Sequence, residues 1–485
     1  MIERRDLRAA LGLAAVVCAV YAPALSVGFY SDDYEWLGRM NPTLERPAFV
    51  FTVFYRDFNP LLHASFLLDW LVGGGSAVVF HAQSILIHGV CAGLLLLLCK
   101  VHSGRLGLAA GAAALWALNV RISEAAIWPA ARGHALATLC VLAALLAAGR
   151  RGRASAPLAL ALFALSLLAK ETALFAMLLV PFFSARPWRD LRLYAGTAVL
   201  ALAFVAFNLV AKPDFHTSQA GAAALALKVP FILLRPLGLG DYYDFSWLMF
   251  AVVLATALAS AFVLRRSTAL AGLLWVAVCS APLIPLDKLS SRYLYMMSIG
   301  YALALCGIVP WVAEKMSGAS AHRIAAGAAA LGLLLVLAGN LVSIRREIAD
   351  YRVLSRPYRA CVEALEPHLA AVAPGESVIV VDVSARDAVP VLSRTISARG
   401  NMSKLIPYRE RGVGGLIELP DLLNTVRRQP ALLGRPVDSR EAGPRRWVLY
   451  DGTRSWVPDA PPSDSIPAER RFAVRWDDAR EFFGD

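Results

Sequence analysis

The sequence predicts a polytopic α-helical membrane protein whose C-terminus forms a soluble α/β domain. Of its 485 residues, 58% are hydrophobic and 17% are charged, whereas about a quarter of the residues of a soluble protein are charged. The apolar residues lie in a series of runs of about 20 residues, the length at which a helix crosses a bilayer. Short clusters of Arg and Lys separate these runs, as they do in the loops of multi-span proteins.

The runs and their polar flanks predict about eleven membrane spans. The first run, from Leu11 to Phe29, is predicted to be an uncleaved helix because further spans follow it. Two runs, 156–169 and 172–184, are short for a bilayer crossing and are predicted to stop at a polar cavity. The predicted spans are 9–28, 80–99, 106–122, 132–148, 156–169, 172–184, 193–211, 248–264, 268–286, 294–313 and 324–344.

Basic residues cluster at alternate loops, which predicts a cytoplasmic N-terminus and an outward-facing C-terminal region. These charges also meet anionic lipid head groups, so they explain the net charge of +12 without nucleic acid as a partner. The segments predicted to face outward are 29–79, 121–131, 212–247 and 284–293. The basic clusters are Arg4, Arg5 and Arg8; Lys100 and Arg105; Arg150, Arg151 and Arg153; Arg186, Arg189 and Arg192; Arg265 and Arg266; and Lys315 and Arg323.

The last part of the chain changes character after the apolar runs end. Residues 345–485 are rich in charged residues and Pro, with short apolar bursts at 378–382 and 447–450 and a helix-compatible stretch at 419–428. We therefore predict a transmembrane domain over 1–344 and an extracytoplasmic α/β domain over 345–485. Six of the seven cysteines lie in apolar runs, and only Cys361 falls in the soluble region, so no disulfide framework is predicted.

Two adjacent carboxylates, Asp32 and Asp33, follow the first span directly. At a membrane surface such a pair can accept a proton from a hydroxyl group, hold a cation, or form a solvated turn. The residues alone leave these alternatives open.

Three further groups of polar residues flank apolar runs. The second outward segment contains Glu124 and Trp128, and Arg132 follows them. The Arg132 side chain can bind a phosphate bidentately, or it can extend to the membrane–water interface. Charges inside a membrane usually mark a function, but the pair Lys170 and Glu171 can also neutralise itself at a hairpin tip.

The third group lies at a span entrance, where Arg292 is followed by Tyr293 and Tyr295. An Arg beside aromatic rings suits a lipid phosphate, and it also suits a simple interfacial anchor. His81 and His88 share a helix face but lack a third ligand, so no zinc site is predicted. The sequence contains no P-loop and no Gly-x-Gly-x-x-Gly motif.

The order of these motifs resembles that of the GT-C superfamily of membrane glycosyltransferases over roughly residues 1–315. The resemblance is closest to the branch of the protein O-mannosyltransferases and of the transmembrane proteins with tetratricopeptide repeats, although those repeats are absent here. The motifs that carry it are, in order, the aspartates 32 and 33, Asn59 to Leu62, Phe80 to His88, Glu124 to Arg132, Ala169 to Ala173, and Arg292 to Gly300.

The resemblance implies transfer of a sugar from a polyprenyl-phosphate carrier to a protein, lipid or glycan on the non-cytoplasmic side, with inversion at the anomeric carbon. It implies catalytic carboxylates at Asp32 and Asp33, and we prefer Asp33 as the base because it lies farther from the end of the span. It implies no required cofactor and leaves a divalent cation open. The implied donor-phosphate and lipid contacts are Arg132, Lys170, Arg292 and Tyr293, with Glu124, Glu171 and His81 in support.

The sequence departs from the family pattern at two places. The usual His-Pro is Asn119 and Val120 here, and the usual Lys-Asp is Gly133 and His134. These departures leave the sugar and the acceptor open. The Ala- and Arg-rich composition indicates a bacterial inner membrane. The alternatives are a flippase or transporter of lipid-linked sugars, which would show a twofold repeat, and a catalytically silent scaffold.

Overall fold

The computed structural model divides into two compact units. Unit 1 comprises Met1–Leu25, Arg56–Leu62 and Val78–Ala349, and unit 2 comprises Ser26–Tyr55, His63–Ala77 and Asp350–Asp485. The residues described are 2–51, 58–152, 154–185, 190–211, 232–233, 235–237, 267–283, 290–315, 319–370, 377–382, 405–407, 445–450, 455–456 and 471–475.

Unit 1 is built from helices. Several are long and apolar, and short helices and 3-10 turns interrupt the chain at the polar motifs. The helices are α1 (Arg4–Tyr21), α5 (Ala77–Ser103), α6 (Leu106–Ala117), α7 (Glu124–Ile127), α8 (Arg132–Ala148), α9 (Ser155–Ala169), α10 (Ala173–Ala176), α11 (Val180–Phe183), α12 (Leu191–Ala211), α13 (Ser267–Ser280), α14 (Leu294–Met297), α15 (Ile299–Lys315) and the first part of α16 (Ala319–Ala370).

Small residues let the helices of unit 1 approach closely. A Cβ atom added at Gly89 or at Gly93 of α5 would lie 3.0 Å from a main-chain oxygen of α1. Gly272 of α13 lies against Gly300 and the main chain of Ala304 in α15. Helices in a membrane associate through such backbone contacts because lipid gives no hydrophobic driving force between them.

Five helical segments among the described residues are long and apolar enough to cross a membrane, and six if one pair bent by 42° counts as a span. The pair is Ser291–Met297 with Ile299–Lys315. These segments support a membrane location, whereas about eleven spans stay a prediction. The predicted span 248–264 lies outside the described residues. The five are Arg4–Ser26, Ala77–Ser103, Pro129–Ala148, Leu191–Asn208 and Ile324–Ala364.

The described helices of unit 2 are α2 (Asp33–Leu37), α3 (Met40–Glu45), most of α4 (Pro60–Gly73) and the end of α16. Helix α16 has 52 residues, so at about 1.5 Å per residue it is far longer than a bilayer core is thick. The helix therefore passes through the predicted domain boundary at 344/345. Residues such as Arg345 and Glu347 end the apolar run there, but they are good helix formers and do not end the helix.

The described residues of the C-terminal region form five strands of one sheet, in the order β2-β5-β1-β3-β4. Both apolar bursts of the sequence lie in strands, β1 and β3, which pair in parallel from Ser377 opposite Arg445. The helix-compatible stretch 419–428 lies outside the described residues, so an α/β domain stays a prediction. The strands are β1 (Ser377–Asp382), β2 (Leu405–Pro407), β3 (Arg445–Tyr450), β4 (Ser455–Trp456) and β5 (Arg471–Arg475).

Candidate functional site

In unit 1, the carboxylate of Glu124 joins two motifs that are distant in sequence. Its Oε1 accepts a hydrogen bond from Arg292 Nη1 at 2.9 Å, and its Oε2 accepts one from the Arg292 main-chain N–H at 2.9 Å. Ser290 Oγ donates to the same carboxylate at 2.6 Å. Glu124 therefore fixes both the main chain and the guanidinium of Arg292.

Aromatic rings surround Arg292. Its guanidinium carbon lies 4.8 Å from the centre of the Trp128 ring and 5.3 Å from that of Tyr293. Tyr293 in turn meets His134 edge to face, with ring centres 5.2 Å apart. A guanidinium over ring faces gains a cation–π attraction of about 0.5–2 kcal/mol. About a quarter of the Arg292 side chain is exposed (23%), so its charge is accessible to a ligand.

Lys170 lies where α9 ends, with an extended backbone. Its Nζ is 3.0 Å from Glu171 Oε1. Helix α8 lies close by, because a Cβ atom at Gly133 would be 3.2 Å from the main-chain oxygen of Ala169. The predicted interruption of the apolar stretch at Lys170 is thus present.

Arg132 is fully buried at the start of α8, and its three guanidinium nitrogens donate to α5. Nε donates to Ser84 Oγ at 2.9 Å, Nη2 donates to the main-chain oxygen of Phe80 at 2.6 Å, and Nη1 donates to Gln83 Oε1. The predicted support residue His81 is also buried, on the same stretch of α5. Arg132 therefore ties α8 to α5.

We call Glu124, Arg132, Lys170, Glu171 and Arg292 the charged cluster. It contains three cations and two carboxylates, so its formal charge is positive. Its residues come from three motifs of the sequence that hydrogen bonds, ring contacts and close backbone packing bring into one unit. A positive, partly dehydrated cluster of this kind suits the phosphate of a lipid carrier.

In unit 2, Asp32 and Asp33 lie at the start of α2, in what we call the aspartate turn (Tyr30 to Asp33). Asp33 is fully buried, and its Oδ2 accepts a hydrogen bond from the Tyr30 main-chain N–H at 3.0 Å. Asp32 is half-buried, and its Oδ1 accepts from Ser31 Oγ at 3.1 Å. Ser31 has a φ angle of +51°, a left-handed conformation that costs about 1–3 kcal/mol in a residue with a side chain.

A small polar core follows the aspartate turn. Thr43 Oγ1 is 2.7 Å from His63 Nε2 and donates to the main-chain oxygen of Arg39, so the His63 nitrogen is the donor to Thr43. The guanidinium of Arg39 lies over the rings of Trp36 and Phe49. Burial, with the nearby positive charge of Arg39, lowers the pKa of His63 to about 3.

Solved structures with a similar architecture identify the fold of this chain. No protein-family model matches the chain. The crystal structure of ArnT from Cupriavidus metallidurans bound to undecaprenyl phosphate superposes with a TM-score of 0.54, over 95% of this chain and 97% of that one, at 15% identity. The apo structure of the same protein gives 0.52 over 95% and 96%, also at 15% identity. The chain has the GT-C fold.

Sequence comparison agrees with the GT-C fold. The protein O-mannosyl-transferase Tmtc1 of Drosophila melanogaster is 29% identical over 196 residues, which are 37% of this chain. The match spans 23% of the length of the fly protein. The resemblance to the GT-C superfamily of membrane glycosyltransferases, which the order of the motifs indicates, is therefore confirmed.

Within unit 1, Glu124 contacts the Arg292 motif and Arg132 contacts α5, but several of the partners of these residues were not predicted. Ser290, Gln83 and Ser84 hold Glu124 and Arg132. Gln83 and Ser84 lie inside the motif Phe80 to His88, and Ser290 lies two residues before Arg292. Polar side chains within apolar segments were the signal that could have identified them. His134 was noted only as a departure from the family pattern, yet it contacts Tyr293.

Proposed function

We propose that this chain transfers a sugar from a polyprenyl-phosphate-linked donor to an acceptor hydroxyl on the non-cytoplasmic side of a bacterial inner membrane. The observation that carries the proposal is the link of Glu124 to Arg292 beside Trp128, because it joins two family motifs in a chain with the GT-C fold. The structural relative that was crystallised with undecaprenyl phosphate supports a lipid-linked donor.

The charged cluster would bind the donor phosphate. In the reaction, the acceptor oxygen bonds to the anomeric carbon, the bond from that carbon to the phosphate oxygen breaks, and the carrier phosphate leaves with an added negative charge. Cations held in a low-dielectric site stabilise that charge more than they would in water. The proposed contacts are Arg292, whose side chain is partly exposed, and Lys170, which is largely buried, with Tyr293 beside the head group.

For Arg132 we propose a positioning role, because α5 occupies its guanidinium nitrogens. Its predicted contact with the phosphate remains a prediction. Glu124 and Glu171 would hold Arg292 and Lys170 in place. A divalent cation stays open.

Asp32 is the proposed acceptor of the hydroxyl proton. A general base must approach that proton to within hydrogen-bonding distance, and Asp32 is half-buried whereas Asp33 is fully buried. Burial therefore favours Asp32 as the base. The sequence analysis preferred Asp33, because Asp33 lies farther from the end of the first span. Asp33 would hold the turn through the Tyr30 N–H.

The proposal is tested by reconstituting the purified protein with polyprenyl-phosphate sugars. Release of polyprenyl phosphate is measured with and without EDTA, with sugar transfer to cell-envelope lipid, glycan or protein fractions as the second readout. We expect transfer by the wild type and a fall in turnover of at least about 100-fold in Asp32→Asn, the range for loss of a general base. Donor affinity should be unchanged, since Asn keeps the shape of Asp.

Glu363→Gln is the matched control, because it removes an exposed carboxylate from α16. Movement of the intact donor across liposomes without release of the carrier phosphate would indicate a flippase instead. If Asp32→Asn and Asp33→Asn both keep wild-type turnover, the aspartate turn has no catalytic role and the proposal fails.

A further inference from the structure

The aspartate turn contacts a part of the chain that lies more than 300 residues later. The main-chain N–H of Gly28 donates to Ser355 Oγ at 3.2 Å across a separation of 327 residues. Ser355 is buried, and its hydroxyl donates in turn to the main-chain oxygen of Arg352 at 3.0 Å. Both Gly28 and Ser355 belong to unit 2.

The fit at this contact is tight. A Cβ atom added at Gly28 would lie 3.3 Å from both Cβ and Oγ of Ser355, closer than most side chains tolerate. The segment before the aspartate turn therefore packs directly on α16, and a larger side chain at either position would push the two apart.

Aromatic rings make a second connection between the same elements. Tyr34 of α2 stacks on Tyr358 of α16, with ring centres 5.6 Å apart and planes 15° apart. Tyr30 meets Tyr351 and Tyr358 edge to face, at 5.9 Å and 5.7 Å. Tyr30 and Tyr34 bracket Asp32 and Asp33, so α16 contacts the chain on both sides of the carboxylates.

The turn itself requires such support. Ser31 holds a left-handed backbone conformation that few residues with a side chain adopt. Strained conformations of this kind persist only where surrounding contacts fix them, and they are concentrated at functional sites. The hydrogen bond from the Gly28 N–H to Ser355 and the tyrosine contacts are contacts of this type.

We propose that Tyr351, Ser355 and Tyr358 of α16 are positioning residues for Asp32: they fix the aspartate turn in the conformation in which it accepts the proton. The inference rests on the proposed function, and it extends the site to a helix outside the family motifs. A shift of about 1 Å in a reacting group can lower a rate by about 100-fold, so the three side chains would act on turnover rather than on donor binding.

The kinetic test replaces Tyr358. In Tyr358→Leu, which removes both ring contacts, we expect kcat to fall by about 10- to 100-fold with the donor Kd unchanged. Tyr358→Phe keeps both ring contacts and should retain most of the wild-type kcat. Leu354→Ala is the matched control, since Leu354 is exposed on the same turns of α16. Wild-type kcat in Tyr358→Leu, or an equal fall in Leu354→Ala, would overturn the proposal.

Hydrogen exchange provides a measurement that does not depend on transfer activity. The amides of residues 28–34 should exchange faster in Tyr358→Leu and in Ser355→Ala than in the wild type or Leu354→Ala, because α16 no longer fixes the turn. Unchanged exchange in both variants would overturn the positioning role even if the chain transfers sugars. If the wild-type chain shows no transfer activity but both variants still exchange faster than it does, the link is intact and only the proposed function is overturned. If Tyr358→Leu does not fold, Ser355→Ala tests the same link.

Discussion

The charged cluster and the aspartate turn hold their carboxylates in different ways. Glu124 accepts from a guanidinium, a main-chain N–H and a hydroxyl, so its hydrogen-bonding capacity is largely used by the Arg292 segment. In the aspartate turn, Asp33 accepts from the Tyr30 main-chain N–H and Asp32 accepts from the Ser31 hydroxyl. Hydrogen bonds to charged partners are about twice as strong as neutral ones. The charged partner of Glu124 suits an anchor, whereas Asp32 is half-buried and is the carboxylate of the turn that a hydroxyl group can approach.

This difference predicts that the charged cluster affects the donor Kd and that the aspartate turn affects turnover. Within the charged cluster, Arg292→Ala has the largest expected effect. Losing a hydrogen bond to a charged group should weaken donor binding by about 1.5–3 kcal/mol, or roughly 10- to 150-fold. Turnover at saturating donor should change less than in Asp32→Asn. Titration of the purified variant with a polyprenyl-phosphate sugar measures the donor Kd.

Arg359→Ala serves as the control for Arg292, since its guanidinium is exposed and pairs with Glu363 on the surface of α16. Wild-type donor affinity in Arg292→Ala would contradict a phosphate role for the cluster. If Arg292→Ala loses turnover but keeps its donor affinity, the charged cluster does not act on donor binding alone, contrary to our proposal.

Arg132→Lys tests whether this residue positions helices or contacts the phosphate. Lysine keeps the charge but cannot make three hydrogen bonds from a planar fork to α5. We expect a loss of about 1–3 kcal/mol in stability, seen as a lower thermal unfolding midpoint in detergent, with donor affinity nearly unchanged. Arg150→Lys, at an exposed position after α8, is the control. A large loss of donor affinity with normal stability would instead support the predicted phosphate contact.

The smallest expected effect concerns pH and the core that follows the aspartate turn. The folded His63 has a pKa of about 3, whereas an unfolded histidine titrates near 6.5. Below about pH 6.5 the unfolded chain takes up a proton that the folded chain does not, so stability falls as the pH falls towards 3. Between pH 8 and pH 6 the loss is about 1 kcal/mol.

His63→Gln removes this titration and can keep the hydrogen bond to Thr43. The difference in thermal unfolding midpoint between pH 8 and pH 6 should therefore be smaller in the variant than in the wild type. Equal shifts in both proteins would show that His63 does not carry the acid sensitivity.

The sequence predicted the membrane class and the interruption at Lys170, because these depend on apolar periodicity, whereas the convergence of Arg132, Lys170 and Arg292 on a donor phosphate stays a prediction. It favoured Asp33 as the base, whereas our proposal favours Asp32, since burial depends on packing that neighbouring positions do not reveal. The predicted domain boundary at 344/345 falls inside α16, as does the division between the compact units at 349/350. Hydropathy falls at Arg345, but helix propensity stays high, so the helix continues. Ser355 and Tyr358, which contact the segment around the aspartate turn, lie beyond Arg345.

The contact between Gly28 and Ser355 also has a consequence for how the molecule is made. Because 327 residues separate the two, a ribosome adding about 5–20 residues per second synthesises Gly28 roughly 15–65 s before Ser355. During that interval the segment around Gly28 exists without the helix that packs against it. The growing chain would acquire a fully ordered Tyr30–Asp33 segment only once α16 emerges, so catalytic competence would come late in biosynthesis.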